Sequence, residues 1–190
     1  MPGTEPTDSP RLPVTAYALL GLLTFGDPVV TGYELKQRAD ITMRFYWTSP
    51  AMSQIYTELA RLAEHGLVVA VGEGRSTRYK ISARGRLALR VWMHEEPAGF
   101  PIWKHPVALR LINGHVTSPA ALTDMLRDYL VEVAAARADL ADVRRMLTSA
   151  DGPGEDYRYP SLVADWGLAH FDSEREITER LIEKLAEEAD

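Results

Sequence analysis

One short segment, residues 52–64 (MSQIYTELARLAE), carries the side chains whose types and spacing are best suited to chemistry in this sequence. Its apolar residues recur at intervals of three, four and three, which predicts an amphipathic helix with one buried stripe. The stripe consists of Met52, Ile55, Leu59 and Leu62, and the opposite face carries Ser53, Gln54, Thr57 and Arg61. Glutamine can pair with adenine, and serine or threonine can bond bases or phosphates. Because such a helix fits the major groove of duplex DNA, the pattern indicates a DNA-reading helix.

Basic residues are concentrated around the same segment. Residues 36–90 hold 10 Lys and Arg against 4 Asp and Glu, although the whole chain has a net charge of −6. An apolar strand (LVVAV), a turn (GEGRST) and a second strand (RYKIS) follow the helix and predict a hairpin. The cations of this hairpin are Arg75, Arg78 and Lys80, and a predicted helix ahead of residues 52–64 adds Lys36 and Arg38. They can bind backbone phosphates although the chain is acidic overall. Salt screens charges that lie more than about 8–10 Å away, so a phosphate responds mainly to the nearby cations. The alternative is an ordinary solvated charged face.

Tyr56 lies at the border of the buried stripe. Its position is compatible with a phosphate contact and with packing against the hairpin, and the sequence leaves both open.

Catalytic and metal-binding patterns are missing from the sequence. It has no cysteine, which excludes disulfides and thiolate chemistry. The histidines show neither an i, i+4 pair nor a zinc-protease spacing: His65, His94, His105, His115 and His170. The stretch GEGR at 72–75 lacks the Lys-Ser/Thr of a phosphate-binding loop and leads into a predicted strand. We therefore predict a protein that is not an enzyme and that uses no cofactor and no metal.

The chain is expected to be cytoplasmic. Its longest apolar run, VTAYALLGLLTF, is shorter than the roughly 20 residues that span a bilayer. Glu5 and Asp8 precede this run where a secretory signal would carry basic residues.

The order of predicted elements divides the chain into three parts. Residues 1–12, with Pro2, Pro6 and Pro10, read as a disordered tail. Residues 13–96 give the order helix, helix, helix, strand, strand, helix, which is that of a winged helix-turn-helix. The predicted caps are Thr31, Ser49 with Pro50, Gly66 and Ser82. Residues 97–190 form a predicted helical dimerisation domain, so the fold class is mainly α (α+β).

The C-terminal part contains a long heptad seam, which begins after a predicted cap at Ser118 and Pro119. The seam consists of Leu122, Leu126, Tyr129, Val133, Ala136, Leu140, Val143 and Leu147. A last helix, 161–188, carries Leu162, Trp166, Ile177, Leu181 and Leu185. The seam is buried either by this last helix of the same chain or in a two-fold dimer, and the dimer is the favoured alternative.

Several segments in order resemble the PadR family of winged-helix transcriptional regulators: LLGLL, TGYELKQR, SQIYTELARLAEHGLV and RYKISARG. The stretch FYWTSP ahead of SQIYTEL is similar to the branch with a virulence-activator-type helical C-terminal domain. The resemblance implies a homodimer that binds a pseudo-palindromic operator in double-stranded DNA, usually as a repressor. It also implies that Tyr56 and the residues from Arg75 to Tyr79 contact DNA.

Some members of that family are released from DNA by phenolic or planar ligands, so the resemblance also implies a small aromatic effector. Its candidate pocket consists of Trp92, Phe100, Trp103, His105 and Trp166. The favoured alternative is that these aromatic residues are core or interface anchors. A different function remains open as well, namely a protein-interaction adaptor that uses a winged helix without binding DNA.

Overall fold

The computed structural model describes residues 12–47, 49–72, 74, 77–101, 104–149 and 157–187. The chain divides into two units between Gly99 and Phe100, whereas the boundary predicted from the sequence lies between residues 96 and 97. The predicted tail falls almost wholly outside the described residues, as do Arg75 and Trp103.

In its described residues, the N-terminal unit contains four α-helices and a small sheet. The helices are α1 (Val14–Leu22), α2 (Gly32–Thr42), α3 (Met52–Glu64) and α4 (Ala83–Glu95), and the strands are β1 (Val30–Thr31), β2 (Val68–Val71) and β3 (Arg78–Ile81). The three strands are antiparallel in the order β1-β3-β2. This is the winged helix-turn-helix predicted from the sequence, and the prediction of its fold class is confirmed.

The core of this unit is built around the apolar stripe of α3. Ile55, Leu59 and Leu62 are fully buried, in one cluster with leucines of α1 and α2. Burying a side chain of this size contributes about 1.5–3 kcal/mol, so the stripe holds α3 in one orientation. The two β-strands of the hairpin add Val68 and Ile81 to the same cluster.

Most of the predicted helix ends are confirmed. Thr31 caps α2 and forms a capping box with Glu34, Ser82 caps α4, and Gly66 follows α3 with a φ of 67°. The prediction that Ser49 caps α3 was wrong, because the N-cap is Ala51 and α3 begins at Met52. The Ser49 hydroxyl instead donates to Asp40 Oδ1 at 2.6 Å, which removes it from the helix terminus.

Three further details differ from the expectations. Strand β1 was not predicted, because a strand of two residues carries no periodic signal. Its extended conformation depends on pairing with β3, where Val30 lies opposite Tyr79 and Thr31 opposite Arg78. Strand β2 is buried only at Val68, since the next three residues are exposed on an edge strand. The apolar residues of α2 also predict an inward-facing Tyr33, but the structure exposes this side chain.

The C-terminal unit consists of helices. They are α5 (Pro106–Ile112), a short 3-10 helix (Gly114–Val116), α6 (Pro119–Thr148) and α7 (Arg158–Glu187). The predicted cap of α6 is confirmed, because Ser118 Oγ accepts from Ala121 N at 3.2 Å. Helices α6 and α7 pack antiparallel, as shown by two bidentate ion pairs, Arg137 with Asp172 and Arg144 with Asp165.

The heptad seam of α6 is covered by α7 of the same chain. Leu126, Val133, Leu140 and Leu147 are buried, while Leu122, Tyr129, Ala136 and Val143 are half-buried. Of the two alternatives for burying the seam, the structure therefore shows the helical hairpin within one chain.

The face of α7 that lies against α6 differs from the expected apolar stripe. Its buried residues are Ala164, Gly167, Glu174 and Thr178. Leu162, Trp166 and Ile177 are exposed, while Leu181 and Leu185 are half-buried. Small residues were not recognised as the packing face, because they lack the apolar signal on which a heptad reading depends.

A close approach between α4 and the start of the hairpin requires Gly85. A Cβ at this position would overlap the carbonyl oxygen of Leu67 and lie 2.9 Å from Ile81 Cγ1. Gly21 in α1 has open space around it.

The two glycines predict opposite effects on stability. We expect Gly85→Ala to lower the free energy of unfolding by about 1–3 kcal/mol, because the backbone must move to relieve the overlap. The matched variant Gly21→Ala should raise it by up to about 1 kcal/mol, since alanine is the better helix former. Denaturant unfolding of both variants checks this, and equal effects would contradict the packing at Gly85.

Candidate nucleic-acid interface

The exposed face of α3 carries the residues that the sequence pattern placed there. Ser53, Gln54, Thr57 and Arg61 are all exposed on the side opposite the buried stripe. Thr57 Oγ1 donates to Ser53 O at 2.9 Å, so this hydroxyl keeps its own acceptor capacity for a donor outside the helix. The face offers hydrogen-bonding groups of both kinds along the first three turns of α3.

Gln54 also holds the start of the helix. Its Oε1 accepts from Ala51 N at 2.9 Å, which takes the place of the expected Ser49 cap. An amide oxygen has two lone pairs, so Gln54 can accept a second hydrogen bond while its nitrogen donates. The side chain thus has a local role as well as the chemistry needed to read a base.

Tyr56 packs on the N-terminus of α2, beside the hairpin. A Cβ on Gly32 would lie 2.6 Å from Cε1 of the Tyr56 ring, so the absence of a side chain at Gly32 admits the ring. Burial raises the pKa of the Tyr79 phenol, and the neighbouring Tyr56 raises that pKa further. Tyr56 therefore lies between α2 and β3 and remains about half exposed.

The hairpin presents its cations on β3. Arg78 and Lys80 are exposed, and Arg78 pairs with Thr31 of β1 and Val71 of β2 in the sheet. The guanidinium Nη2 of Arg78 lies 3.6 Å from Glu34 Oε1 of α2. Strand pairing thus places Arg78 next to the N-terminus of α2.

The two cations of α2 have different surroundings. Lys36 Nζ pairs with the Asp40 carboxylate one turn later and lies 3.3 Å from Ser49 Oγ. Arg38 donates to the carbonyl oxygens of Leu22, Phe25 and Asp27. Arg38 thus holds the segment that follows α1. In the sequence analysis, Arg38 was grouped with the phosphate-binding residues.

Three carboxylates lie beside these cations, and their ion pairs were not predicted from the sequence. They are Asp40 with Lys36, Glu58 with Arg61 at 3.7 Å, and Glu34 with Arg78. The first two pairs follow the i, i+4 and i, i+3 spacing of helix neighbours, which is a usable sequence signal. The third joins two distant elements and has no such signal.

The aromatic residues predicted for a ligand pocket have separate surroundings. In the N-terminal unit, Trp92 stacks on Tyr17 with ring centroids 5.0 Å apart. In the C-terminal unit, Phe100 is 95% exposed, and Trp166 is 66% exposed with its ring centroid 6.4 Å from that of His170. Trp103 lies outside the described residues.

His105 belongs to a polar cluster around the buried Glu174. Its Nδ1 accepts from Ala108 N at 3.1 Å, which leaves the proton on Nε2 to be donated to Glu174 Oε1 at 2.8 Å. The Tyr129 hydroxyl donates to the same carboxylate oxygen at 3.2 Å. Burial, with the nearby Glu174 carboxylate as a second cause, raises the pKa of Tyr129 well above its usual range. The cluster ties the start of α5 to α6 and α7.

Among the described residues of the C-terminal unit, two cavities follow α5 and α6. Their volumes are about 690 and 450 Å³, and both are lined by Arg110, Ala121 and Met125. Tyr129 lines the larger cavity, whereas neither cavity is lined by the aromatic residues that the sequence suggested.

A winged helix-turn-helix followed by a long helical hairpin defines the class of fold, which is that of the PadR-like transcriptional regulators. A PadR-like regulator of Bacillus cereus is 18% identical, with a TM-score of 0.76 over 91% of this chain and 98% of that one. PadR of Bacillus subtilis, in complex with operator DNA, is 23% identical, with a TM-score of 0.76 over 91% and 99%. The virulence activator AphA of Vibrio cholerae is 20% identical, with a TM-score of 0.70 over 90% and 97%.

A further structure of Bacillus subtilis PadR, in complex with p-coumaric acid, is 22% identical, with a TM-score of 0.76 over 92% of this chain and 99% of that one. No protein-family model and no curated protein matches the sequence. At these identities the likeness establishes the fold of the chain.

None of the helices in the described part of the chain combines the length and the apolarity needed to cross a membrane.

The Lys36–Asp40–Ser49 contact predicts a measurable shift at Asp40. A hydrogen bond from Lys36 and, as the second cause, one from Ser49 lower the pKa of Asp40. The ionised Asp40 therefore stabilises the folded state at pH values above its unfolded-state pKa, and this contribution is lost as the pH falls through its folded-state pKa. Ser49→Ala should raise the pKa of Asp40, though not to its ordinary value because Lys36 remains. A carboxyl NMR titration measures this, and Ser53→Ala, on the exposed face of α3, should leave the pKa of Asp40 unchanged.

Proposed function

We propose that this protein is a sequence-specific DNA-binding transcriptional regulator of the PadR type. The observation that carries the proposal is the orientation of α3, whose apolar stripe is buried and whose polar face is exposed next to a cationic hairpin. A helix of this kind reads base edges in the major groove, and a neighbouring wing contacts the phosphate backbone. The fold it shares with Bacillus subtilis PadR, which has been seen with operator DNA, supports this reading.

The side chains divide into two groups by their chemistry. Gln54, Ser53 and Thr57 provide directional hydrogen bonds and are proposed to read bases. Lys80, Arg78, Arg61 and Lys36 are proposed to bind phosphates, together with Tyr56 and with Arg75 beyond the described residues. Base contacts supply specificity and phosphate contacts supply affinity that depends on salt.

A homodimer is the proposed assembly. Because α7 already covers the seam of α6 within the chain, we place the contact on another surface. Exposed apolar residues at helical spacing follow one side of the first half of α7: Tyr159, Leu162, Val163 and Trp166. An exposed stripe of this kind on a helical hairpin suits a two-fold contact with a second copy.

The dimer in turn leads to the operator and to regulation. Two recognition helices related by a two-fold axis would bind two half-sites, so the proposed operator is pseudo-palindromic. We propose repression through occupancy of such a site. The cavities along α5 and α6 fall within the usual size range of small-molecule sites, so they are the proposed place for a small aromatic effector.

A salt series tests the DNA-binding proposal. Fluorescence anisotropy should show tight binding to the region upstream of its own coding sequence, much weaker binding to a random duplex, and a steep loss of affinity with salt. Lys80→Ala should weaken both complexes alike and flatten the salt slope by about one.

The base-reading variant for the same assay is Gln54→Glu, which keeps the acceptor for Ala51 N but loses the amide donor. We expect it to reduce the preference for the specific site over random DNA by about 5- to 100-fold. Weak binding that does not distinguish the two duplexes in the unmodified protein would contradict the proposed function.

Sedimentation equilibrium tests the homodimer. The full chain should have twice its monomer mass, and Trp166→Glu should shift it towards monomer because a charge would then lie in the apolar contact. Ala135→Glu adds the same charge at an exposed position of α6 opposite the seam and should leave the dimer intact. A monomeric unmodified chain, or equal effects of the two variants, would contradict the proposed contact surface.

A further inference from the structure

The cations of the proposed interface are partly neutralised by the protein itself. Among the described residues, Lys36, Arg61 and Arg78 each have a carboxylate within ion-pair distance, whereas Lys80 does not. The partners of Lys36 and Arg61 lie about one turn away on the same helix as their cations. The partner of Arg78 is Glu34, which belongs to a different element.

Glu34 is held in place by the cap of α2. Its Oε2 accepts from Thr31 N at 2.7 Å and from Thr31 Oγ1 at 3.0 Å, while Glu34 N donates to Thr31 Oγ1 at 3.2 Å. These bonds keep the carboxylate at the start of the helix, where the helix dipole also favours a negative charge. The other oxygen, Oε1, is left facing Arg78 Nη2 at 3.6 Å.

We propose that Glu34 acts as an internal competitor of DNA phosphate for Arg78 and thereby limits affinity that does not depend on sequence. This inference rests on the proposed function. Arg78 is half exposed on β3, so a phosphate can reach its guanidinium from the solvent side. That phosphate then also approaches a fixed carboxylate, and the repulsion offsets part of the attraction. Since phosphates carry no sequence information, the effect weakens binding to every duplex.

The competing possibility is that Glu34 orients Arg78 for the phosphate. The two roles have opposite signs. Removing a competitor strengthens binding to DNA, whereas removing a support weakens it.

The test is Glu34→Gln, which keeps an acceptor for Thr31 N because glutamine also serves in a capping box. We expect affinity for a random duplex to rise on the order of two- to fivefold, as for loss of an exposed ion-pair partner. The salt slope should become steeper by up to about 0.9, because Arg78 then neutralises a phosphate in full. Thermal unfolding checks that the cap has survived.

Two controls isolate the contact. Glu95→Gln removes the same charge at an exposed position near the end of α4 and should change neither quantity. In an Arg78→Gln background, Glu34→Gln should have a much smaller effect, because the cation for which it competes is gone.

Each remaining outcome overturns the inference. Weaker binding by a folded Glu34→Gln variant would show that Glu34 orients Arg78. Unchanged binding, or an equal gain from Glu95→Gln, would show that the contact has no specific role. If the unmodified chain lacked salt-dependent DNA binding, the proposed function would fail, which is a distinct result.

Discussion

The burial of one side of α3 is the constraint on which the candidate interface depends. Ile55, Leu59 and Leu62 are fully buried in the core of the N-terminal unit. Rotating the helix by one residue would turn it by about 100° and expose part of this stripe, at a cost of a few kcal/mol. The polar residues between them have no freedom to face anywhere but outward. The geometry of the interface is therefore a consequence of the packing of the core.

A second constraint is charge. Cations gathered on one surface repel one another, and in this unit the repulsion is reduced by carboxylates of α2 and α3. Glu34 has a structural and an electrostatic role, since the hydrogen bonds that cap α2 also hold its negative charge beside Arg78. The interface is thus less positive than a count of its lysines and arginines suggests.

In the C-terminal unit, the main constraint is the covering of the apolar seam of α6. A long helix with one apolar seam needs a partner, and α7 supplies it within the same chain through the small residues Ala164 and Gly167. The polar Glu174 is tolerated in this contact because His105 and Tyr129 both donate to it. Several larger apolar residues of α7, including Trp166, are consequently left exposed.

The sequence by itself determined the features that depend on near neighbours in the chain. The spacing of α3, the caps Thr31 and Ser82, and Gly66 after α3 are all local signals, and they were sufficient to predict the winged helix. The tertiary structure decided the features that depend on distant groups. Ser49 bonds Asp40 instead of capping α3, β1 is extended only through its pairing with β3, and Arg78 meets Glu34. A heptad pattern records that a seam must be buried but not which helix covers it, so only the packing of α7 decided that question.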